Sequence, residues 1–407
     1  MLSKYQSIRI EEFDYPLPDE RIAKFPLPQR DKSKLLVYKN DEILDKTFEN
    51  ISDVLPENSL LLLNDTKVIQ ARLHFQKDTG ANIEVFCLEP IDYNGDYSLA
   101  LAKKGNCKWK CIAGNLKKWK GTIFLPFENN DVKGMLYANI ESKIEDAIIV
   151  NFNWQPENLD FATVLENAGK IPLPPYIKRE TVDNDKYTYQ TVYAQYDGSV
   201  AAPTAGLHFT PEVFKQIKKR GIDVDYITLH VGAGTFKPVS ADIIGEHTMH
   251  QEHVFIKKEL IEKIQSHINK PIIAVGTTTV RSIESLIQIA RKIKVGNTSE
   301  IFTISQWEPY IGENQDLLKT EALQIILDYM DAHKLKYLEA YTGIMIVPGY
   351  KPRIIDGLIT NFHQPKSTLL LLVSAFIGDK WKSIYKHALE NNYRFLSYGD
   401  SSFFIKS

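Results

Sequence analysis

PIIAVG at 271–276 runs directly into TTTVRSIESLIQIARKI at 277–293. The first piece is a short apolar β-run that ends in a glycine. In the second, Val280, Ile283, Leu286, Ile287, Ala290 and Ile293 recur at three- and four-residue intervals and trace one face of a helix. Strand, glycine turn and helix joined without a linker are the repeating unit of an α/β layer structure. Working toward the N-terminus, DVDYITLHV (223–231) reads as a strand. TPEVFKQIKKRG before it offers Thr210 as N-cap, Pro211 as first helical residue and Gly221 just past the end. Toward the C-terminus, IMIVPG and IIDGLITNF read as buried strands, PKSTLLLLVSAFIG as a helix apolar on most sides, and DKWKSIYKHALENN as an amphipathic surface helix. RFLSYG and SSFFI then close the chain.

From Ser59 to about Trp154 the texture differs. LLLLND, VIQARLHF, NIEVFCLEP, YSLALAKK, KWKCIAG, TIFLPF, GMLYANI and AIIVNFNW are short, evenly spaced runs divided by turn residues, the pattern of a small barrel or sandwich. The first sixty residues hold helix and strand signals but no complete domain. The expected architecture is therefore an α/β sandwich domain over 1–62 and 152–407, with a small β-barrel domain inserted at 63–151.

The 407 residues, 43% hydrophobic and 25% charged with 21 glycines and 19 prolines, have the balance of a globular chain and exclude collagenous and low-complexity classes. The apolar stretch from Leu369 is about half the ~18 to 20 residues that span a bilayer, so no membrane association is expected. MLSKYQSIRIEEFDY lacks an apolar core of signal-peptide length, which places the protein in the cytoplasm. Cys87, Cys107 and Cys111 form no even framework, and reduced thiols are expected. With a net charge of −2, any polyanion has to be held by a local patch. KKGNCKWKCIAGNLKKWK, from Lys103 to Lys120, is such a patch, with no acidic residue and two interleaved tryptophans. A lysine-protected edge strand and a nucleic-acid contact both suit it.

Three segments can carry chemistry. The Gly276 turn places threonines at a helix N-terminus, where free N–H groups and the dipole suit an anion, and Arg281 adds donors one turn on. VGAGTF (231–236) permits close backbone approach but leads into Lys237-Pro238 rather than a helix, which argues against a dinucleotide fingerprint. HTMHQEH sets His247, His250 and His253 three apart, which on a helix would give one face. The segment has no His-Glu-x-x-His arrangement, and Glu246 and Glu252 can pair with imidazoles, so no metal is expected. His208, His230 and His363 each lie beside small or turn residues near predicted strand ends, where open α/β sheets gather their ligand sites. Each also suits a satisfied structural position.

The ordered strings AAPTAGLHF, TLHVGAGTFKPV, HTMHQEH, AVGTTTVRSIES, NFHQPKSTLLLLVSAF and YRFLSYGD resemble the S-adenosylmethionine:tRNA ribosyltransferase-isomerase family of queuosine biosynthesis. FDYPLPDERIAKFPLPQRDKSKLLVY, NDTKVIQARL, IPLPPYIKR and YQTVYA extend the resemblance from about residue 13 to 404. It implies a transferase that moves and isomerises the ribosyl part of S-adenosylmethionine onto 7-aminomethyl-7-deazaguanine at the tRNA wobble position. Epoxyqueuosine-tRNA, adenine and methionine are the products. S-adenosylmethionine is then a co-substrate rather than a prosthetic group, and no metal is implied. The expected partner is tRNA bearing the modified base, and a monomer is expected.

Carried onto this sequence, the resemblance implies an acid/base pool of His208, His230, His250 and His363 with Glu252 behind them. It implies an S-adenosylmethionine pocket of Thr204, Gly206, Gly232, Gly234, Thr235, Thr277, Thr278 and Arg281, closed by Tyr398 and Asp400. For tRNA, the candidates are Lys103, Lys104, Lys117 and Lys118, with Arg72 and Lys178. The sequence departs from the family pattern at Lys67, Thr188, Gln364, Ser401 and Ser402, and carries a longer stretch at about 291–341. These departures keep open a non-catalytic tRNA-binding protein on the same scaffold, or a paralogue with a different acceptor.

Overall fold

Leu60 and Leu62 face one hydrophobic core and Leu61 and Leu63 another, so the strand Leu60–Asn64 is buried on both sides. A continuous apolar run is what a central parallel strand covered by helices on both faces requires. A computed structural model describes residues 2–77, 80–92, 96–129, 132–144, 147–232, 239, 241–297, 301–311 and 317–405. The fold is mixed α/β. Asp223–His230, Leu60–Asn64, Ile272–Val275 and Gly357–Asn361 lie side by side and parallel at the centre of a ten-stranded sheet. Glu252–Lys257, Tyr337–Thr342 and Ile301–Ile304 extend one side, and Ser401–Ile405, Lys34–Lys39 and Glu42–Thr47 the other. The helix Thr277–Lys294 packs through Val280, Ile283, Leu286 and Ile287 on the first core, beside Thr368–Ile377 and Lys380–Glu390. Pro211–Lys219 covers the opposite face with Val213 and Ile217, and Thr210 Oγ caps it as expected.

A seven-stranded sheet comprises Gly169–Lys170, Arg72–Gln76, Asn82–Pro90, Asn106–Ala113, Ala147–Gln155, Val132–Ile144 and Ile123–Asn129, in that order. It has its own core around Trp109, Phe152 and Trp154, into which the helix Phe161–Ala168 packs Phe161, Val164 and Leu165. Among the described residues its ladder is open between the first and last of these strands. All three cysteines are free and buried in that core. Within 291–341, Lys319–Ala332 packs Ala322, Leu323, Ile326 and Met330 into the main core as a helix.

Two expected strands take other forms. YSLALAKK contains the helix Tyr97–Leu101, started by the Asp96 carboxylate, which accepts the Leu99 N–H at 2.9 Å. Its buried residues, Tyr97, Ala100 and Leu101, follow a helical rather than an alternating spacing. IMIVPG is buried but irregular, because Met345 N–H bonds the Gln306 carbonyl and Val347 N–H the Tyr310 hydroxyl instead of a ladder. RFLSYG is a turn around Leu396 at φ +69°. IIDGLITNF forms a strand only over Gly357–Asn361, since the buried Glu284 carboxylate accepts the N–H groups of Arg353, Ile354 and Ile355 at 2.8 to 2.9 Å.

Candidate functional site

The four central parallel strands end together at His230, Asn64, Val275 and Asn361, so the turns that follow them converge on one edge of the sheet. A cavity opens there. Its walls are Thr204 and its neighbours in AAPTA, Val231, the turn Gly276-Thr277-Thr278, and the run from Thr360 to Gln364. Three sequence motifs more than seventy residues apart thus share a single site. Gly276, at φ +92°, makes the sharp turn from strand to helix. The helix behind it has no side-chain cap, so its first-turn N–H groups face the cavity at Thr277 and Thr278. A second helix, Thr368–Ile377, begins at the same wall, capped by Ser367 through the Leu370 N–H at 3.3 Å. Two helix N-termini favour an anionic group such as a carboxylate.

His363 borders this cavity. Burial pushes its imidazole down to about 3, so it is neutral at pH 7. Its Nε2 lies 3.0 Å from Thr360 Oγ1, while Nδ1 takes no hydrogen bond from the described residues. Ser397 lines both this cavity and a smaller one lined by His208, Ser33, Arg30 and Tyr398. His208 is pushed down to about 3 by burial and then by Arg394, and its Nδ1 lies 2.8 Å from Ser33 Oγ. Among the described residues, neither His208 Nε2 nor Asn361 Oδ1 has a hydrogen-bond partner.

On the far side of Val231, His230 borders another cavity, open to solvent. Burial, then the charge of His253, lowers its pKa to about 4, and its Nδ1 sits 3.0 Å from Thr66 Oγ1. Beside Thr66, burial lifts the Asp65 carboxyl to about 6 although the Thr228 hydroxyl donates to it at 2.7 Å. Asp65 escaped the residue-level reading. Its signal was its place in NDTKV, directly after a fully apolar strand, where a carboxylate has no structural reason to be buried.

The other expected site residues are distributed differently. Arg281 and Glu252 form a buried ion pair at 2.6 Å, and Arg281 also donates to the carbonyls of Ile344 and Thr342. Both lie outside the cavity because each completes the other's hydrogen bonding. Asp400 accepts the N–H groups of Lys34 and Arg394, and Tyr398 donates to Asp185 at 3.3 Å, so both hold the chain together near His208. Gly206 is buried where a Cβ would come within 1.9 Å of the Tyr193 hydroxyl. Gly232 has open space around it, and Gly234 and Thr235 lie outside the described residues. His250 is exposed in an irregular segment, not a helix, and His253 lies on a strand and meets Glu339 at 2.7 Å. Among the described residues no three His, Cys, Asp or Glu side chains converge as metal ligands.

Lys103 pairs with Asp92, Lys108 with Glu141 and Lys110 with Glu89, each at 2.7 to 2.8 Å. Lys104, Lys117, Lys118 and Lys120 are exposed and form no ion pair among the described residues. Arg72 meets Glu84 at 3.6 Å and stacks on Phe86, and Lys178 meets Asp19 at 3.1 Å. No described helix is long and apolar enough to cross a membrane.

The family model described as queuosine biosynthesis protein matches residues 10–404. The S-adenosylmethionine:tRNA ribosyltransferase-isomerase of Halothermothrix orenii is 39% identical over 402 residues, covering 97% of this chain and 99% of that protein. The protein of the same name from a Sulfurihydrogenibium species is 38% identical over 404 residues, covering 98% and 100%. The crystal structure of S-adenosylmethionine tRNA ribosyltransferase from Thermotoga maritima is 28% identical and covers 96% of this chain and 99% of that one, with a TM-score of 0.46.

Proposed function

This chain belongs to the queuosine biosynthesis protein family, and we propose that it is the enzyme that transfers and isomerises the ribosyl moiety of S-adenosylmethionine onto 7-aminomethyl-7-deazaguanine at the tRNA wobble position. The convergence of AAPT, GTT and NFHQ on one cavity carries the reading. S-adenosylmethionine is the co-substrate, and no prosthetic group is invoked. Its methionine carboxylate suits the paired helix N-termini, and its sulfonium acidifies the C5′ hydrogen enough for a positioned base to form an ylide. Adenine then departs, the substrate amine adds to the activated carbon, and the sugar recloses as a carbocycle. An alkoxide expels methionine to leave the epoxide. His363 is the base we assign, because it is neutral and borders the cavity. His230, bordering the adjoining cavity, is the second proton-transfer candidate.

We read the seven-stranded sheet, with its separate core, as a small barrel-like unit inserted into the α/β domain at about 69–170 rather than the expected 63–151, since Leu60–Asn64 belongs whole to the central sheet while Ala147–Gln155, Phe161–Ala168 and Gly169–Lys170 belong to this unit. Its unpaired lysines Lys104, Lys117 and Lys118 then supply the tRNA contact. The protein acts in the cytoplasm as a monomer. Adenine release from S-adenosylmethionine, with and without tRNA bearing 7-aminomethyl-7-deazaguanine, tests the function. Adenine formed only with that tRNA, together with an epoxycyclopentanediol on the wobble nucleoside, is the expected result. Binding of the tRNA without adenine release would favour the non-catalytic alternative.

A further inference from the structure

Of the ten residues that line the cavity beside His230, six are rings: Tyr97, Tyr196, Tyr226, His230, Phe255 and Tyr337. Aromatic side chains between packed layers ordinarily fill the space they surround, because interiors approach crystal density. Here the rings line a cleft that stays open to solvent. Tyr97 and His230, 5.0 Å apart, form a buried floor, and Phe255 stands edge-on to His230 at 6.0 Å. Tyr337, half exposed, leaves the mouth accessible. The polar groups on the wall are few and suited to the edge of a planar ring: Thr228, the Asp96 carboxylate, the tyrosine hydroxyls and His230 Nε2, which takes no hydrogen bond from the described residues. Lys257 adds a cation to the same wall. A lipid chain would leave His230 Nε2 and the Lys257 ammonium facing hydrocarbon, whereas a flat heterocycle linked to a phosphate uses both the rings and the lysine.

We propose that this chamber receives an unstacked nucleobase of the tRNA anticodon loop, an inference that rests on the reading of the protein as a tRNA-modifying enzyme. Proteins bind single-stranded RNA by stacking splayed bases on aromatic side chains, with a loss of about 5- to 150-fold in affinity when one ring is removed. The position is apt. His230 and Val231 end one strand, the first facing the chamber and the second the cavity assigned to S-adenosylmethionine. A base held against Phe255 and Tyr226 brings the anticodon loop to the edge of the sheet where the chemistry is proposed.

The test uses the full-length protein and anticodon stem-loop RNAs with 2-aminopurine at each loop position in turn. Binding quenches the fluorescence of at least one position, and F255L and Y226L relieve that quenching. Both variants weaken RNA binding about 5- to 150-fold without changing its salt dependence, because neither removes a phosphate contact. Thermal stabilisation by S-adenosylmethionine, retained in both, shows that they fold. Quenching unaltered in both variants overturns the proposal, as does wild-type protein that binds none of these RNAs. Adenine release with unaltered quenching would sink the chamber alone, and ring-dependent quenching without adenine release would sink the enzymatic reading alone.

Discussion

Burial decides what the histidines can do. His208 and His363 are held near 3 and His230 near 4, against an ordinary value of 6.5. An unfolded chain therefore takes up protons below pH 6.5 that the folded protein refuses. The three sites cost stability as pH falls from 6.5 toward 4, by roughly 1.4 kcal/mol per pH unit for each histidine. Asp65 works in the opposite direction, since its carboxyl at about 6 binds a proton in the folded state before the ordinary 3.8 is reached. The net expectation is a melting temperature that drops on acidification from pH 6.5 to 5, with a shallower drop in H363Q. An H363Q profile identical to wild type would contradict the burial argument. The same reasoning separates the candidate bases. H363Q should lower kcat by about 10²- to 10⁴-fold, the usual contribution of a positioned proton-transfer group. H250Q, altering an exposed residue in no cavity described above, should leave kcat within about twofold. Equal losses would remove His363 from its assigned role.

Elements were legible where the pattern was long, and ambiguous where partners decided the outcome. The Gly276 junction shows both cases. Strand, turn and helix are plain from PIIAVGTTTVRSIES, yet Arg281, one turn into the helix, was expected at the ligand and instead pairs with Glu252. Helical spacing fixes which face a residue occupies but not which neighbour waits there. Glu284 is the same lesson in reverse. A carboxylate inside a helix reads as a solvated position, but it is fully buried and accepts three backbone N–H groups and the Tyr350 hydroxyl. It thereby breaks what the sequence pattern reads as a longer strand. Replacing it by glutamine, E284Q, puts an amide N–H₂ against donors and should cost about 2 to 3 kcal/mol in urea unfolding. Gly276 holds φ +92°, and G276A should cost roughly 1 to 2 kcal/mol through the Cβ penalty of left-handed backbone. It should also weaken S-adenosylmethionine binding, read as a smaller thermal shift. An unchanged shift would place the ligand away from that turn.

Across the molecule, the division into an α/β layer and a β-rich stretch followed from strand spacing alone, and the ligand edge followed from the parallel order of the central strands. Charge was less legible, because sequence neighbours are not spatial neighbours. KKGNCKWKCIAGNLKKWK contains no acid, yet the fold brings Glu89, Asp92 and Glu141 to three of its seven lysines. A pair of partly exposed charges contributes little to stability, but it does offset the field that a polyanion meets. The patch therefore reduces to Lys104, Lys117, Lys118 and Lys120, on a chain whose net charge is −2. If these lysines hold tRNA, each phosphate contact contributes about 0.7 to 0.9 to the slope of log affinity against log salt. Charge reversal in K117E/K118E should weaken tRNA binding and flatten that slope by about 1 to 2, at unchanged S-adenosylmethionine stabilisation. K108A/K110A removes as many positive charges but frees Glu89 and Glu141, so a loss of affinity there through added repulsion would leave the slope nearly intact. Measuring both variants from 50 to 200 mM salt separates contact from field. If K117E/K118E keeps the wild-type affinity and slope, these two lysines do not hold the tRNA.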